Sequence, residues 1–231
     1  MNTICQMNLY MLRFVAALVA CAFLSSCFDI VEDVTLKGNG SGSIKATANL
    51  SKSRTKVASL MKLDKVDGVK IPKEADIRRE MGEVVVLLRK TPGISNVKET
   101  LDFDNYIATL SCDFTSVSAL NAFTTTLSKH FKANVNGYSS YAYDAKTGTF
   151  ERKSAYNAEA KKKLDQLSAE SKKSFSDAFY SAIYRFEKPV KSVSNNQAKI
   201  SSNKKATMLK VSALQVMEGK VNLSNKIQLS N

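Results

Sequence analysis

The sequence predicts an α+β domain: an antiparallel sheet built from hairpins, with helices packed on one face. Three observations carry this. Apolar residues alternate with polar ones in short runs, as at Phe28, Ile30, Val34 and Leu36, and again at Ile44, Ala46, Ala48 and Leu50. Compact turn clusters separate such runs, the first being Gly38-Asn39-Gly40-Ser41-Gly42. Hairpin followed by helix recurs three times, with no sequence identity between the copies. Hairpins impose antiparallel pairing, and a sheet with one apolar face needs a covering layer.

Residues 28–50 form the first hairpin. Its glycine cluster opens onto a strand and not a helix, so it reads as a turn and not a phosphate-cradling loop. Ser51 or Ser53 is placed to cap a short helix carrying Val57, Leu60 and Met61, which Asp67-Gly68 breaks. Pro72 suits the first turn of the next helix. Glu74 and Asp76 at its start and Arg89 and Lys90 at its end suit the helix dipole. Ile77, Met81, Val84, Val85 and Leu88 share one face. Gly82 weakens this helix and residues 84–88 alone also fit a strand; the end signals decide for helix. Residues 94–101 and 106–114 make a second hairpin around Asp102-Phe103-Asp104-Asn105. Thr115 or Ser116 then caps a helix through His130, with Val117, Leu120, Phe123, Leu127 and Phe131 on its stripe. Residues 28–132 thus read ββααββα.

After a connector at 133–137, residues 138–143 and 149–152 form a third hairpin. A basic amphipathic helix follows at 157–174, with Ala160, Leu164, Leu167 and Phe175 inward and Lys161, Lys162, Lys163, Lys172 and Lys173 outward. The tail reads as strands at 179–186, 191–194, 198–201 and 206–210, a helical turn at 212–217 and a last strand at 220–229. The two halves, 27–132 and 133–231, are expected to pack as one domain.

The N-terminus is different. Residues 14–23 form an apolar run of signal-peptide length, well short of the ~20 residues that cross a bilayer. Arg13 precedes the run directly. Residues 1–10 are polar and contain Cys5, so Met11 or Met7 fits a start better than Met1. Leu24-Ser25-Ser26-Cys27 at the end of the run resembles the lipobox of bacterial lipoproteins. That resemblance implies cleavage before Cys27 (a leader of residues 1–26), a diacylglyceryl thioether on Cys27 and an acyl chain on its amine. The remaining chain is then lipid-anchored to a membrane of the cell envelope, the outer membrane being favoured. One acyl chain anchors marginally, at ~0.8 kcal/mol per buried CH₂; two or three hold durably. The competing reading is an ordinary secretory signal with Cys27 incidental.

Cys5 and Cys21 leave with such a leader. With Cys27 lipidated, Cys112 is left unpaired in a strand and reads as a buried, inert thiol. The formal charge is +13. Residues 27–132 hold 16 Lys/Arg against 13 Asp/Glu, and residues 133–231 hold 17 against 8, so the excess sits in the second half. A basic half suits anionic lipid or a polyanionic saccharide; equally, it is a solvated surface. Nucleic acid is not expected as a partner of an exported lipoprotein.

The order of anchor, glycine-turn hairpin, helices, second hairpin with Gly93-Ile94-Ser95, and the Phe114-Thr115-Ser116-Val117-Ser118-Ala119-Leu120-Asn121 helix is similar to the LppM-like family of bacterial lipoproteins. The resemblance covers residues 27–132 and implies an envelope lipoprotein with a lipid- or surface-binding role. It transfers no functional residue.

Catalytic patterns are weak. His130 is the one histidine, at a helix end beside Lys129 and Lys132, where the dipole explains it. No histidine-based metal cluster is expected, and Asp102 and Asp104 read as turn residues with too few following oxygen ligands for calcium. No cofactor is expected. Tyr141 and Tyr143 fall on one strand face beside the lysine-rich helix. They read either as ordinary core or, with Lys161, Lys162, Lys163, Lys172 and Lys173, as a contact surface. The expectation is a non-enzymatic binding domain for a lipid headgroup, a saccharide or an envelope protein. A structural or assembly subunit is the alternative, and an enzyme ranks third.

Overall fold

The computed structural model describes residues 28–131, 139–156, 158–173 and 175–230. The leader, Cys27, the connector and Tyr138 lie outside them. Strands β1 (Asp29–Leu36) and β2 (Gly42–Asn49) pair antiparallel, with Val34 opposite Ile44. A 3₁₀ turn at Ser51–Ser53 leads into α1 (Arg54–Leu60), where Ser53 holds the N-cap position without a side-chain cap bond. Asp67-Gly68 does more than break this helix. Both residues take positive φ, 49° and 77°, the backbone of a two-residue primed turn. They close a miniature hairpin, β3 (Lys65–Val66) with β4 (Val69–Lys70). Then come α2 (Glu74–Arg89), β5 (Ile94–Asp102), β6 (Ile107–Phe114) and α3 (Val117–His130). Ser116 Oγ caps α3 by accepting from the Ala119 N–H at 3.2 Å.

The second half begins with β7 (Ser139–Asp144) and β8 (Thr149–Ser154). The single helix expected at 157–174 is two short ones, α4 (Ala158–Asp165) and α5 (Ala169–Lys173). Ser168 is the reason: its hydroxyl accepts from the Ser171 N–H at 3.1 Å and starts a new helix. The tail comprises β9 (Phe179–Phe186), β10 (Val190–Val193), β11 (Lys199–Ile200), β12 (Ala206–Ser212), α6 (Ala213–Met217) and β13 (Asn225–Leu229). The last strand is shorter than the expected 220–229.

The chain is α+β, and antiparallel pairing dominates. One sheet runs β11-β12-β9-β1-β2-β6-β5 and another β10-β13-β8-β7. An all-hairpin sheet would be wholly antiparallel; here β1 and β9 pair in parallel, Val34 beside Tyr184 and Leu36 beside Phe186. That pair joins the two halves. The inner face of the large sheet carries Val34, Leu36, Ile44, Leu110, Tyr184 and Leu209, all buried, while its other face mixes polar residues with Val31, Ile183 and Met208. Helices cover only part of this face. Val84, Leu88, Leu120 and Phe123 of α2 and α3 pack over the β5–β6 side. Over β9 the smaller sheet takes their place, and Phe150 lies 5.2 Å from the Tyr184 ring and 5.6 Å from Phe186.

Candidate functional site

At the end of the large sheet where β1 begins, the inner face is floored by small residues. Ala48 of β2 stands opposite Ala108 of β6. Val57, Leu60 and Met61 of the α1 segment roof this floor, Ile77 of α2 walls it, and Leu101 and Phe103 close one side. The result is a cavity of ≈ 270 Å³ whose polar wall groups are confined to Asp102 and Tyr106. Leu50, Val57, Leu60, Met61, Ile71 and Ile77 are all half-buried, and none belongs to the main core. α1 itself buries no residue completely. A seven-residue helix and two-residue strands are too short to fill the space beneath them. Apolar surface is left facing water, at roughly 25 cal/mol per Å² of driving force for an apolar ligand.

A polar cleft adjoins the cavity and shares Leu101, Asp102, Phe103 and Tyr106 with it. The Arg78 guanidinium lies 4.5 Å from the Phe103 ring centre. Asp102 accepts from the Asn105 side chain at 2.7 Å and its N–H at 2.9 Å, which hold the carboxyl below its ordinary range. Tyr106 takes φ 55°, a left-handed backbone costly for a side chain of its size, and its carbonyl accepts the Leu50 N–H at 3.0 Å. The cleft also holds Arg54, Glu74 and Asp104. Three carboxylates against two guanidiniums suit a polar head group and do not select a simple anion.

The strap over the cavity, residues 51–72, is fastened by side chains from several elements. Lys73 Nζ donates to the Met61 and Leu63 carbonyls at 3.1 and 2.9 Å. Lys52 pairs with Asp29 at 3.1 Å. Asp67, in the β3–β4 turn, accepts from the Ser168 N–H and hydroxyl at 3.1 and 2.9 Å. Hydrogen bonds from Ser171 and Ser168 hold its carboxyl below the usual range. Phe28, the residue after Cys27, packs edge-on against Phe175 at 5.6 Å, just beyond α5. The chain therefore enters the domain beside the cavity end.

Of the two readings of the tyrosines, the core one fits Tyr141. Tyr141 is only 4% exposed. Its ring stacks on Phe150 at 6.0 Å, and burial, then the Glu32 carboxylate, push its hydroxyl well above the ordinary range. Tyr143 is half-buried, with its hydroxyl donating to the Gly38 carbonyl at 3.3 Å. Strand β8 and the large sheet claim both rings. The lysines divide. Lys162, Lys163 and Lys173 are exposed. Lys161 pairs with Asp165 at 2.5 Å, and Lys172 donates to the Asp165 carbonyl at 3.0 Å.

Two further polar groups escaped sequence reasoning. Between the sheets, Glu32 accepts from the Tyr180 and Tyr184 hydroxyls at 2.7 and 2.9 Å and faces Arg152 at 3.5 Å. Arg152 also donates to the Tyr184 hydroxyl at 3.0 Å. The alternation of β1 places Glu32 on the same face as Val34, the one available hint. On the helix side, His130 Nε2 lies 3.0 Å from Glu80 Oε2, and the donor atoms of Glu80, Glu83 and His130 all lie within 4.8 Å of one another. These three could hold a divalent cation, a grouping hidden by the 50 residues between Glu80 and His130. The Arg79 guanidinium lies 3.7 and 4.0 Å from the two carboxylates and offsets part of their charge, while pairing most closely with Asp76 at 3.2 Å. The cluster reads as a hydrogen-bonded clasp between α2 and α3. Cys112 is buried, its thiol pushed up to about 12 by burial and then by Asp113. Among the described residues, no helix is long and apolar enough to cross a membrane.

The chain matches no family model and no curated protein. Among solved structures it is similar to the folded domain of LppM from Mycobacterium tuberculosis, at 14% identity and a TM-score of 0.43 over 87% of this chain and 88% of that one.

Proposed function

We propose that this protein is a lipid-tethered, non-enzymatic binding domain of the bacterial cell envelope, anchored through Cys27, that takes the apolar chain of an amphiphile into the cavity beneath α1. The open, almost wholly apolar cavity carries this reading. At ≈ 270 Å³ it sits just below the range of about 300–1,000 Å³ usual for small-molecule sites, which suits one chain and not a whole lipid. The adjoining cleft, with Arg78 over Phe103, receives the polar head. No cofactor takes part in this reading. Binding is tested with cis-parinaric acid, a fluorescent fatty acid. Fluorescence rises on uptake in the parent chain, and Ala108→Phe, which fills the floor, removes the rise. Because the added ring enters open space, stability stays within about 1.5 kcal/mol of the parent. Equal uptake by Ala108→Phe would refute the site.

A further inference from the structure

We propose that the strap over the cavity is also a membrane-docking surface: Leu63 and Val69, framed by Lys62, Lys65 and Lys70, seat this end of the domain on an anionic lipid bilayer. The inference rests on the cavity reading and adds the surface from which the cavity is loaded.

Val69 is 57% exposed, the most exposed large apolar side chain among the described residues, and Leu63 is 48% exposed. Single exposed apolar residues are ordinary. These two stand in a strap whose neighbouring positions, Met61 and Ile71, line the cavity. Their charge setting is also lopsided. Lys62, Lys65 and Lys70 are exposed, Lys70 lying 3.7 Å from Asp76. The strap's two acids are both engaged, Asp64 with Lys73 at 3.3 Å and Asp67 with Ser168. Apolar side chains ringed by lysine are suited to the boundary between head groups and acyl chains, where the ammonium groups reach anionic lipid while the apolar groups enter.

Direction supports the same surface. Asp67 ties the strap to the loop between α4 and α5, and Phe28 packs against Phe175 just beyond α5. The entry of the chain, the strap and the exposed Lys162, Lys163 and Lys173 therefore share one end of the domain. The basic helices supply charge here, while the first half of the chain supplies the apolar contact.

Among the described residues the core runs from Val34 to Leu229, so a chain of residues 28–231 carries it and serves for the test. It is sedimented with vesicles of phosphatidylglycerol and phosphatidylcholine, and with phosphatidylcholine alone. The expected result is binding at least tenfold stronger to the anionic vesicles. Leu63→Asp with Val69→Asp weakens it about tenfold or more. Lys62→Glu with Lys65→Glu does likewise. The sequence has no tryptophan, so Val69→Trp provides a single reporter whose emission moves to shorter wavelength on vesicle addition. Strap variants that bind as the parent, or an unmoved Val69→Trp emission, would overturn the proposal. A domain that ignores all vesicles would overturn it too and point to a protein partner for the strap. Ala108→Phe separates the two readings: fatty-acid uptake falls while docking remains. Docking without uptake in the parent removes the cavity reading alone, and uptake without docking removes this one.

Discussion

Glu32 shows what one residue commits the chain to. Its place on the apolar face of β1 takes a carboxylate out of water, and Arg152, Tyr180 and Tyr184 answer it. Removing one partner of such a pair strands the other. Arg152→Met should destabilise the domain by about 3–5 kcal/mol, and adding Glu32→Gln should restore part of the loss. Chemical denaturation of the three variants checks this; additive losses would show that the pair does not act as a unit. Some residues announced their roles in the sequence. Thr115 or Ser116 reads as a cap and Ser116 is the one, because capping is local. Tyr141 could not be placed in the same way. Its neighbours Phe150 and Tyr184 reach it across strands, and period-two alternation names a face without saying what covers it.

At the scale of elements, the hairpins and the two long helices were legible, since each carries its own period and end signals. The parallel β1–β9 pair was not, because 150 residues separate Asp29 from its partner Phe179 and no local feature specifies their meeting. The cavity was hidden for a related reason. Val57, Leu60 and Met61 have the spacing of core residues, and only the shortness of α1 and the alanines below leave them unfilled. The strap that results is held partly by Asp67. Its carboxyl in the fold lies below the unfolded value of about 3.9, so the latch to Ser168 is intact above that pH and is lost as pH falls through the folded value. Hydrogen exchange in residues 62–72, corrected for intrinsic rates, should quicken in the parent as the pH is lowered from about 6 to well below the unfolded value of about 3.9. In Asp67→Asn it should already be fast at the upper value. Equal protection at both ends of the range would remove Asp67 as the latch.

For the whole molecule, the proposed function joins the charge excess, the lipobox resemblance and the cavity in one arrangement. The second half is the basic one, and its exposed lysines on α4 and α5 lie at the end where Phe28 enters. A tether at Cys27, as proposed, would hold that end against the bilayer, putting lipid within reach of the cavity and leaving the outer face of the large sheet in water.

Native mass spectrometry of the chain 28–231 with a lysophospholipid, kept below its micelle concentration, tests the cavity most directly. The account predicts one lipid per chain, lost in Ala108→Phe and kept in Val69→Asp. No complex in the parent, or an equal complex in Ala108→Phe, would contradict it.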